Sequence, residues 1–243
     1  MSTLALSLKG VKVRFETNAL TFDCAVPAGR IVAVAGPSGS GKSTLFNVIA
    51  GFEAPEAGEV RILGDDMAGR MPAERPVSVI FQENNLFAHL DVATNVGFGI
   101  SPSLRLTAAD RKRIEEALAR VGLGGFGKRL PSTLSGGERQ RVALGRALVR
   151  HRPLLLFDEP FAALDPGMRA EMRDLIVDLH GEEGNTILMI THHPDDVKSL
   201  ADSVLFLDQG RIVAHDAVDR FLARRDLAAI NRFLGNDESS GDE

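Results

Sequence analysis

Residues 31–44 read Ile31-Val32-Ala33-Val34-Ala35-Gly36-Pro37-Ser38-Gly39-Ser40-Gly41-Lys42-Ser43-Thr44. The apolar run Ile31 to Ala35, bounded by Gly29 and Gly36, predicts a buried strand. Gly36 to Thr44 matches the phosphate-loop pattern GxxxxGK[ST]. Small residues let such a chain curl until successive amide N–H groups face phosphate oxygens. A helix is expected from Ser43 to Ala50, closed by Gly51, and its positive end adds to the cradle. Lys42 is then placed to reach the β- and γ-phosphates of a nucleotide, and the Ser43 hydroxyl to reach Mg²⁺. A chance glycine-rich turn would lack the strand before it and the helix after it.

Working outward, Leu4 to Val26 alternates loosely and ends at Pro27-Ala28-Gly29, which predicts a strand hairpin and a turn. Apolar strands are expected at Val77 to Phe81, Leu154 to Phe157, Thr186 to Ile190 and Val204 to Leu207. Met172, Leu175, Ile176 and Leu179 place one apolar stripe on an intervening helix. Strand alternating with helix predicts an α/β fold with a mostly parallel sheet covered on both faces. Residues 84–149 read differently. Thr107-Ala-Ala-Asp110 has the form of a capping box, and Ile114, Ala117, Leu118 and Val121 follow at helical spacing. We expect one domain over residues 1–235, with 1–83 and 150–235 as the α/β core and 84–149 as an inserted helical lobe. Residues 236–243 are polar and acidic and are expected to be a disordered tail.

Composition excludes several classes. The net charge of the 243 residues is -5, so no nucleic-acid surface built on bulk charge is expected. Hydrophobic residues at 44% and charged residues at 25% are ordinary for a globular domain. Trp and Tyr are absent against 13 Phe, so any aromatic stacking falls to Phe or His. Cys24 is alone, which rules out an intrachain disulfide and a CxxC metal knuckle. Its apolar neighbours suggest a buried structural thiol. The first residues lack the basic region and apolar core of a signal peptide. Runs such as Leu154 to Phe157 are too short to span a bilayer, so any membrane part must come from a partner.

Leu154-Leu-Leu-Phe157-Asp158-Glu159-Pro160 sets two carboxylates at a strand end, where parallel sheets bind ligands. Asp158 can serve Mg²⁺ through water. Glu159 can polarise a water for in-line attack. A turn start would explain one Asp before Pro160 but not the phosphate loop that needs this partner. Leu134-Ser135-Gly136-Gly137-Glu138-Arg139-Gln140 reads as a helix start, with Ser135 as cap and Glu138 in the capping-box position. Two adjacent glycines clear space for an anion. Since a phosphate loop is already present, either the chain binds two anions or this second site serves another copy of the chain.

That string resembles the signature motif of ABC-family ATPases, and further elements stand in the order that family requires. The resemblance covers residues 4 to about 215. It implies a P-loop NTPase of ABC type, with an N-terminal antiparallel β subdomain and an inserted α-helical subdomain. It implies ATP and Mg²⁺ as cofactors. Phe15 resembles the aromatic that stacks on adenine. Gln82 resembles the glutamine that senses Mg²⁺ and the attacking water. Ala163-Leu164-Asp165 resembles the loop that crosses the dimer interface, and His192 the switch histidine at the γ-phosphate. His193 beside it is expected to be a bystander. The family arrangement pairs two copies head to tail, each ATP lying between the phosphate loop of one and Ser135-Gly136-Gly137-Glu138 of the other. The implied partners are a second copy, transmembrane permease subunits and, through them, a periplasmic substrate-binding protein. The implied place is the cytoplasmic face of a bacterial inner membrane.

Cargo does not touch such a subunit, so only finer resemblance bears on it. Arg75 to Leu90, Arg-Pro-Val-Ser-Val-Ile-Phe-Gln-Glu-Asn-Asn-Leu-Phe-Ala-His-Leu, is similar to the same stretch of thiamine-importer ATPases. Iron, a polyamine or a sulfate-like anion are the alternatives within the same group. Leu86, Phe87 and Leu90 are expected to dock a permease, to be inward core, or both. A soluble ABC ATPase of translation or repair is the other class, but those types carry two ATPase domains or a long coiled coil. Intact Lys42, Glu159 and His192 weigh against a non-hydrolysing subunit.

Overall fold

A computed structural model describes residues 3–14, 19–162 and 164–236. The chain begins with β1 (Leu4–Arg14), β2 (Ala19–Pro27), β3 (Ile31–Ala35), α1 (Lys42–Ala50), β4 (Ala57–Ile62) and β5 (Asp65–Asp66). It continues through β6 (Val77–Ile80), α2 (Val92–Gly97), α3 (Ala108–Arg120), a 3-10 turn at Pro131–Thr133, α4 (Gly136–Val149), β7 (Leu154–Asp158) and α5 (Pro166–Glu183). It ends with β8 (Thr186–Ile190), α6 (Pro194–Leu200), β9 (Ser203–Asp208), β10 (Arg211–Ala217), α7 (Val218–Leu222) and α8 (Ala228–Leu234). Two compact units emerge: residues up to Pro76 together with those from Asn185 on, and Val77–Gly184.

In the first unit the strands run in the order β5-β4-β1-β2-β10-β9-β3-β8. Only around β3 is this sheet parallel on both sides, with Val34 opposite Ile190 of β8 and Ala35 opposite Phe206 of β9. β1 pairs antiparallel with β2 and with β4, and β9 with β10. Most of these antiparallel pairings belong to the expected N-terminal β subdomain, while β3 has the parallel neighbours expected of the α/β core. Parallel neighbours need a long crossover, whereas short turns return the chain antiparallel. Between β9 and β10 the turn is Gln209-Gly210, both at positive φ (45° and 76°), the geometry of a tight hairpin.

All five residues of β3 are buried, as a strand covered on both faces requires. Its start is held by side chains, since Gly29 N donates to Thr186 Oγ1 (2.9 Å) and Ile31 N to Asp202 Oδ2 (2.8 Å). Behind it, Ala33 and Ala35 join a cluster with Phe206, Phe221 and Ile230, against which Phe233 of α8 packs. Helix α1 ends on Gly51 in the left-handed region. The buried Arg75 guanidinium donates to the Val48 and Ile49 carbonyls at that end (2.7 and 3.0 Å) and to Met67 O (3.2 Å). A cation at a helix C-terminus satisfies carbonyls that have no intrahelical partner. Cys24 lies on β2, half-buried rather than fully buried as expected, and the desolvation it meets still pushes its thiol up to about 12.

In the second unit β6 and β7 pair in parallel, Ile80 opposite Phe157. Helix α3 carries the expected capping box, with Asp110 N donating to Thr107 Oγ1 (3.1 Å) and Thr107 N to Asp110 Oδ2 (3.0 Å). Ile114, Ala117, Leu118 and Val121 are all buried. Of the stripe on α5, Met172, Ile176 and Leu179 are buried, while Leu175 is half-buried. No helix among the described residues is long and apolar enough to cross a membrane. Phe15, Ala163 and the tail from residue 237 lie outside the described residues.

Candidate functional site

In the first unit the phosphate loop leaves the carboxyl end of β3. Gly36, Gly39 and Gly41 have φ of 147°, 76° and 102°, a region that L side chains rarely adopt. Gly36 also has no room for a side chain, because a Cβ there would overlap the Leu207 carbonyl of β9. Ser40 N closes the turn onto Pro37 O (3.2 Å). The buried Lys42 ammonium donates to the carbonyls of Gly36 (2.9 Å) and Pro37 (2.8 Å). Gly41 caps α1 without a side-chain hydrogen bond, and the first turn holds no acidic residue. Those amides therefore have no side-chain cap and no carboxylate in their own turn, and the helix end favours a phosphate. Among the described residues Ser40 Oγ is buried without a hydrogen-bond partner, and Ser38 and Ser43 are exposed, with Thr44 half-buried. This donor-rich loop fits a nucleotide polyphosphate.

His192 sits one residue beyond the buried Thr191, at the carboxyl end of β8, the strand beside β3. The structure thus brings His192 and the phosphate loop to the same end of adjacent parallel strands. Sequence reading missed the brace beneath it. Thr191 Oγ1 donates to Asp196 Oδ2 (2.8 Å) and accepts from His193 N (3.1 Å), with Thr191 and Asp196 both buried. This fixes the turn and leaves His192 and His193 exposed. No spacing of residue types in Thr191-His-His-Pro-Asp-Asp196 announces it.

In the second unit Gln82, Asp158 and Glu159 leave the same end of the parallel pair β6 and β7. Asp158 and Glu159 are half-buried and Gln82 is exposed. Glu159 has φ of 49°, in the left-handed region that any L side chain enters only at a steric cost. Such strain clusters at functional positions, and nothing in the residue type announces it. Asp165 caps α5, its Oδ1 accepting from Met168 N (2.9 Å).

The Ser135 motif opens α4 with both halves of the capping box. Ser135 N donates to Glu138 Oε2 (2.6 Å), and Glu138 N to Ser135 Oγ (3.2 Å). The two glycines differ. Gly137 is buried against Leu164 and Met168, where a Cβ would meet Met168 Sδ at 2.9 Å. Its small size therefore serves packing within the chain, while Gly136 is half-buried and Ser135 exposed.

The segment after Gln82 is held by a residue the sequence did not flag. Asn95 of α2 is fully buried, and its Oδ1 accepts from Phe87 N (2.8 Å). Its Nδ2 donates to the carbonyls of Phe87 (3.1 Å), Leu90 (3.0 Å) and Asp91 (3.0 Å). Above this clamp Phe87 is 46% exposed and stacks obliquely on Phe98 (4.8 Å between centroids). Leu86 and Leu90 are half-buried. Asn95→Ala is expected to destabilise the subunit by about 2–4 kcal/mol, since it strands buried backbone groups. An unchanged melting temperature would show that the clamp contributes nothing.

The family model described as ABC transporter matches residues 20–162.

The chain belongs to the ABC transporter family.

The chain is 81% identical over 237 residues, 98% of its length and 100% of the other's, to a Rhizobium meliloti (strain 1021) protein named Thiamine import ATP-binding protein ThiQ. It is similar to the structure of cbiO1 from Clostridium perfringens, part of the ABC transporter complex cbiONQ, with TM-score 0.83 and 28% identity over 91% of this chain and 92% of that one. It is also similar to the ATP-binding cassette MJ0796, solved as a dimer in a post-hydrolysis state with ADP and Pi, with TM-score 0.77 and 29% identity over 88% and 98%. As an ABC transporter ATP-binding subunit, the chain binds and hydrolyses ATP. The described residues hold no group of three His, Cys, Asp or Glu side chains that would cage a metal.

Proposed function

We propose that this ABC transporter subunit drives bacterial import of thiamine or its phosphate esters. Two copies would work on the cytoplasmic face of the inner membrane, beneath a permease supplied by a periplasmic binding protein. The observation that carries this reading is the 81% identity, along essentially the whole chain, with a protein named for thiamine import. Residues 1–83 and 150–235 act as the ATPase core, and 84–149 as the helical part that meets the permease. The dimeric MJ0796 structure supports pairing of copies.

Each residue has a distinct task in this reading. Amides of Gly36, Ser38 to Gly41 and the start of α1 hold the phosphates, with Pro37 shaping the loop and Ser38, Ser40, Lys42 and Thr44 adding donors. Phe15 stacks on adenine. Ser43, Gln82 and, through water, Asp158 hold Mg²⁺, which neutralises phosphate charge when bound. Glu159 accepts the proton of the attacking water, and Gln82 orients that water. His192 steadies the γ-phosphate. Ser135, Gly136, Gly137, Glu138 and Asp165 complete the site of the opposite copy. Binding of two ATP closes the pair and hydrolysis reopens it.

Proteoliposomes holding the whole transporter and its binding protein test the cargo. Thiamine is expected to stimulate ATP hydrolysis and to accumulate with ATP. A response to iron or a polyamine with none to thiamine would reject the cargo and leave the ATPase standing. In the same system Phe87→Asp separates docking from core. Because Phe87 is substantially exposed, the isolated variant should fold and bind ATP, while burying its carboxylate under a permease is costly. Assembly and uptake should fail. An isolated variant that unfolds would make Phe87 core instead.

A further inference from the structure

The stretch between Gln82 and the Phe87 surface is fastened at two points. Asn95 holds its far end, as described. Its near end is held by Arg146 on α4, whose Nη1 donates to Asn85 O (2.9 Å) and Nη2 to Asn84 O (2.9 Å). Asn84 and Asn85 both stand at positive φ, 59° and 44°. Asparagine tolerates that region better than most other L residues, and the arginine's two hydrogen bonds fix the pair there. The planar fork of an arginine fits two adjacent carbonyls, which a lysine ammonium cannot match. Burial lowers the guanidinium's proton affinity, and Arg150 adds to that. No carboxylate pairs with Arg146 among the described residues. The charge is therefore spent on backbone.

Arg146 lies on the same helix that Ser135, Gly136 and Gly137 begin. The helix is also tightly seated beside this stretch. Gly99, just past α2, approaches α4 so closely that a Cβ would overlap the Arg146 carbonyl. Gly145 packs against Val96 of α2, 3.7 Å from its would-be Cβ. A shift of α4 along its axis cannot leave the carbonyls of Asn84 and Asn85 behind without breaking both hydrogen bonds.

We propose that Arg146 is a positioning residue that couples the Ser135-Gly136-Gly137 end of α4 to the Gln82–Phe87 segment. Engagement of the motif by the opposite copy's nucleotide moves α4, and the fork carries that movement to the segment that orients Gln82 and presents Phe87. The proposal rests on the paired-copy reading above. It differs from a simple stabilising role because it requires the segment to respond to nucleotide.

The test compares Glu159→Gln with the double variant Glu159→Gln/Arg146→Lys, each with and without ATP and Mg²⁺. Size-exclusion chromatography reads pairing, thermal melting reads folding, and amide hydrogen exchange reads residues 84–91. With Arg146 present, nucleotide is expected to slow exchange in that segment about fivefold or more. With Arg146→Lys the pair should still form and nucleotide-free melting should hold, but the exchange response should vanish. Arg146→Gln, whose amide can serve one carbonyl, should respond to an intermediate degree and covers a lysine variant that fails to fold. Equal responses in all chains overturn the proposal. So does a loss of response that tracks a loss of melting temperature in both substitutions, which would make Arg146 structural only. If none of the chains pairs, the paired-copy reading fails first and this coupling falls with it.

Discussion

Glu159→Gln is expected to cut steady-state ATP turnover by about 10²–10⁴-fold while leaving nucleotide binding intact, the usual contribution of a positioned general base. The amide keeps the shape of the carboxylate but cannot take the proton of the attacking water. The backbone at Glu159 is already left-handed (φ 49°), and glutamine meets the same strain there as glutamate, so the substitution is nearly silent for folding. Trapped ATP should then hold two copies together. Size-exclusion chromatography with ATP and Mg²⁺ is expected to show a dimer for the variant. Undiminished turnover would remove Glu159 from the chemistry, and a strictly monomeric variant would take away the paired arrangement.

Gly36→Ala should be the most damaging single methyl in the chain. Gly36 has φ of 147°, and a Cβ there overlaps the backbone carbonyl of Leu207, which is fixed in β9 between β3 and β10. Neither partner can step aside as a flexible side chain would. The strain and overpacking together are expected to cost roughly 3–5 kcal/mol. Since the shift falls on the loop whose carbonyls seat Lys42, ATP binding should be lost with it. Gly39→Ala is the control, because a Cβ at Gly39 meets nothing within 4 Å although φ is 76°. It should cost only the backbone strain, roughly 1–2 kcal/mol. Equal melting temperatures for the two variants would refute this account of the loop.

The features readable from sequence were those in which residue type and spacing act locally. The phosphate loop, the capping boxes at Thr107 and Ser135 and the apolar strand ends each rest on neighbours a few positions apart. The antiparallel pairing of β9 with β10 was harder to read, because a strand's partner depends on the length and φ of the turn. Gln209-Gly210 gives one such turn without the asparagine or aspartate that usually marks it. Asn95, Arg146 and the Thr191–Asp196 brace were not legible at all. Their partners are mostly backbone carbonyls and amides, and every residue offers those, so no pattern of residue types points to them. The Gly137 result shows the reverse problem. A glycine read as space for an anion is also used to let α4 approach Met168.

The resting partners of Lys42 bear on how the subunit lets go of what it has made. Its buried ammonium sits on the carbonyls of Gly36 and Pro37, at 2.9 and 2.8 Å. Phosphate oxygens are stronger acceptors than neutral carbonyls, so an arriving nucleotide can draw the ammonium over. When ADP and phosphate depart, the same carbonyls can receive it again. A buried cation left with no acceptor would oppose that departure by the full cost of its desolvation. The loop thus carries its own stand-in for the leaving group, and product release becomes an exchange of acceptors rather than the exposure of an uncompensated charge.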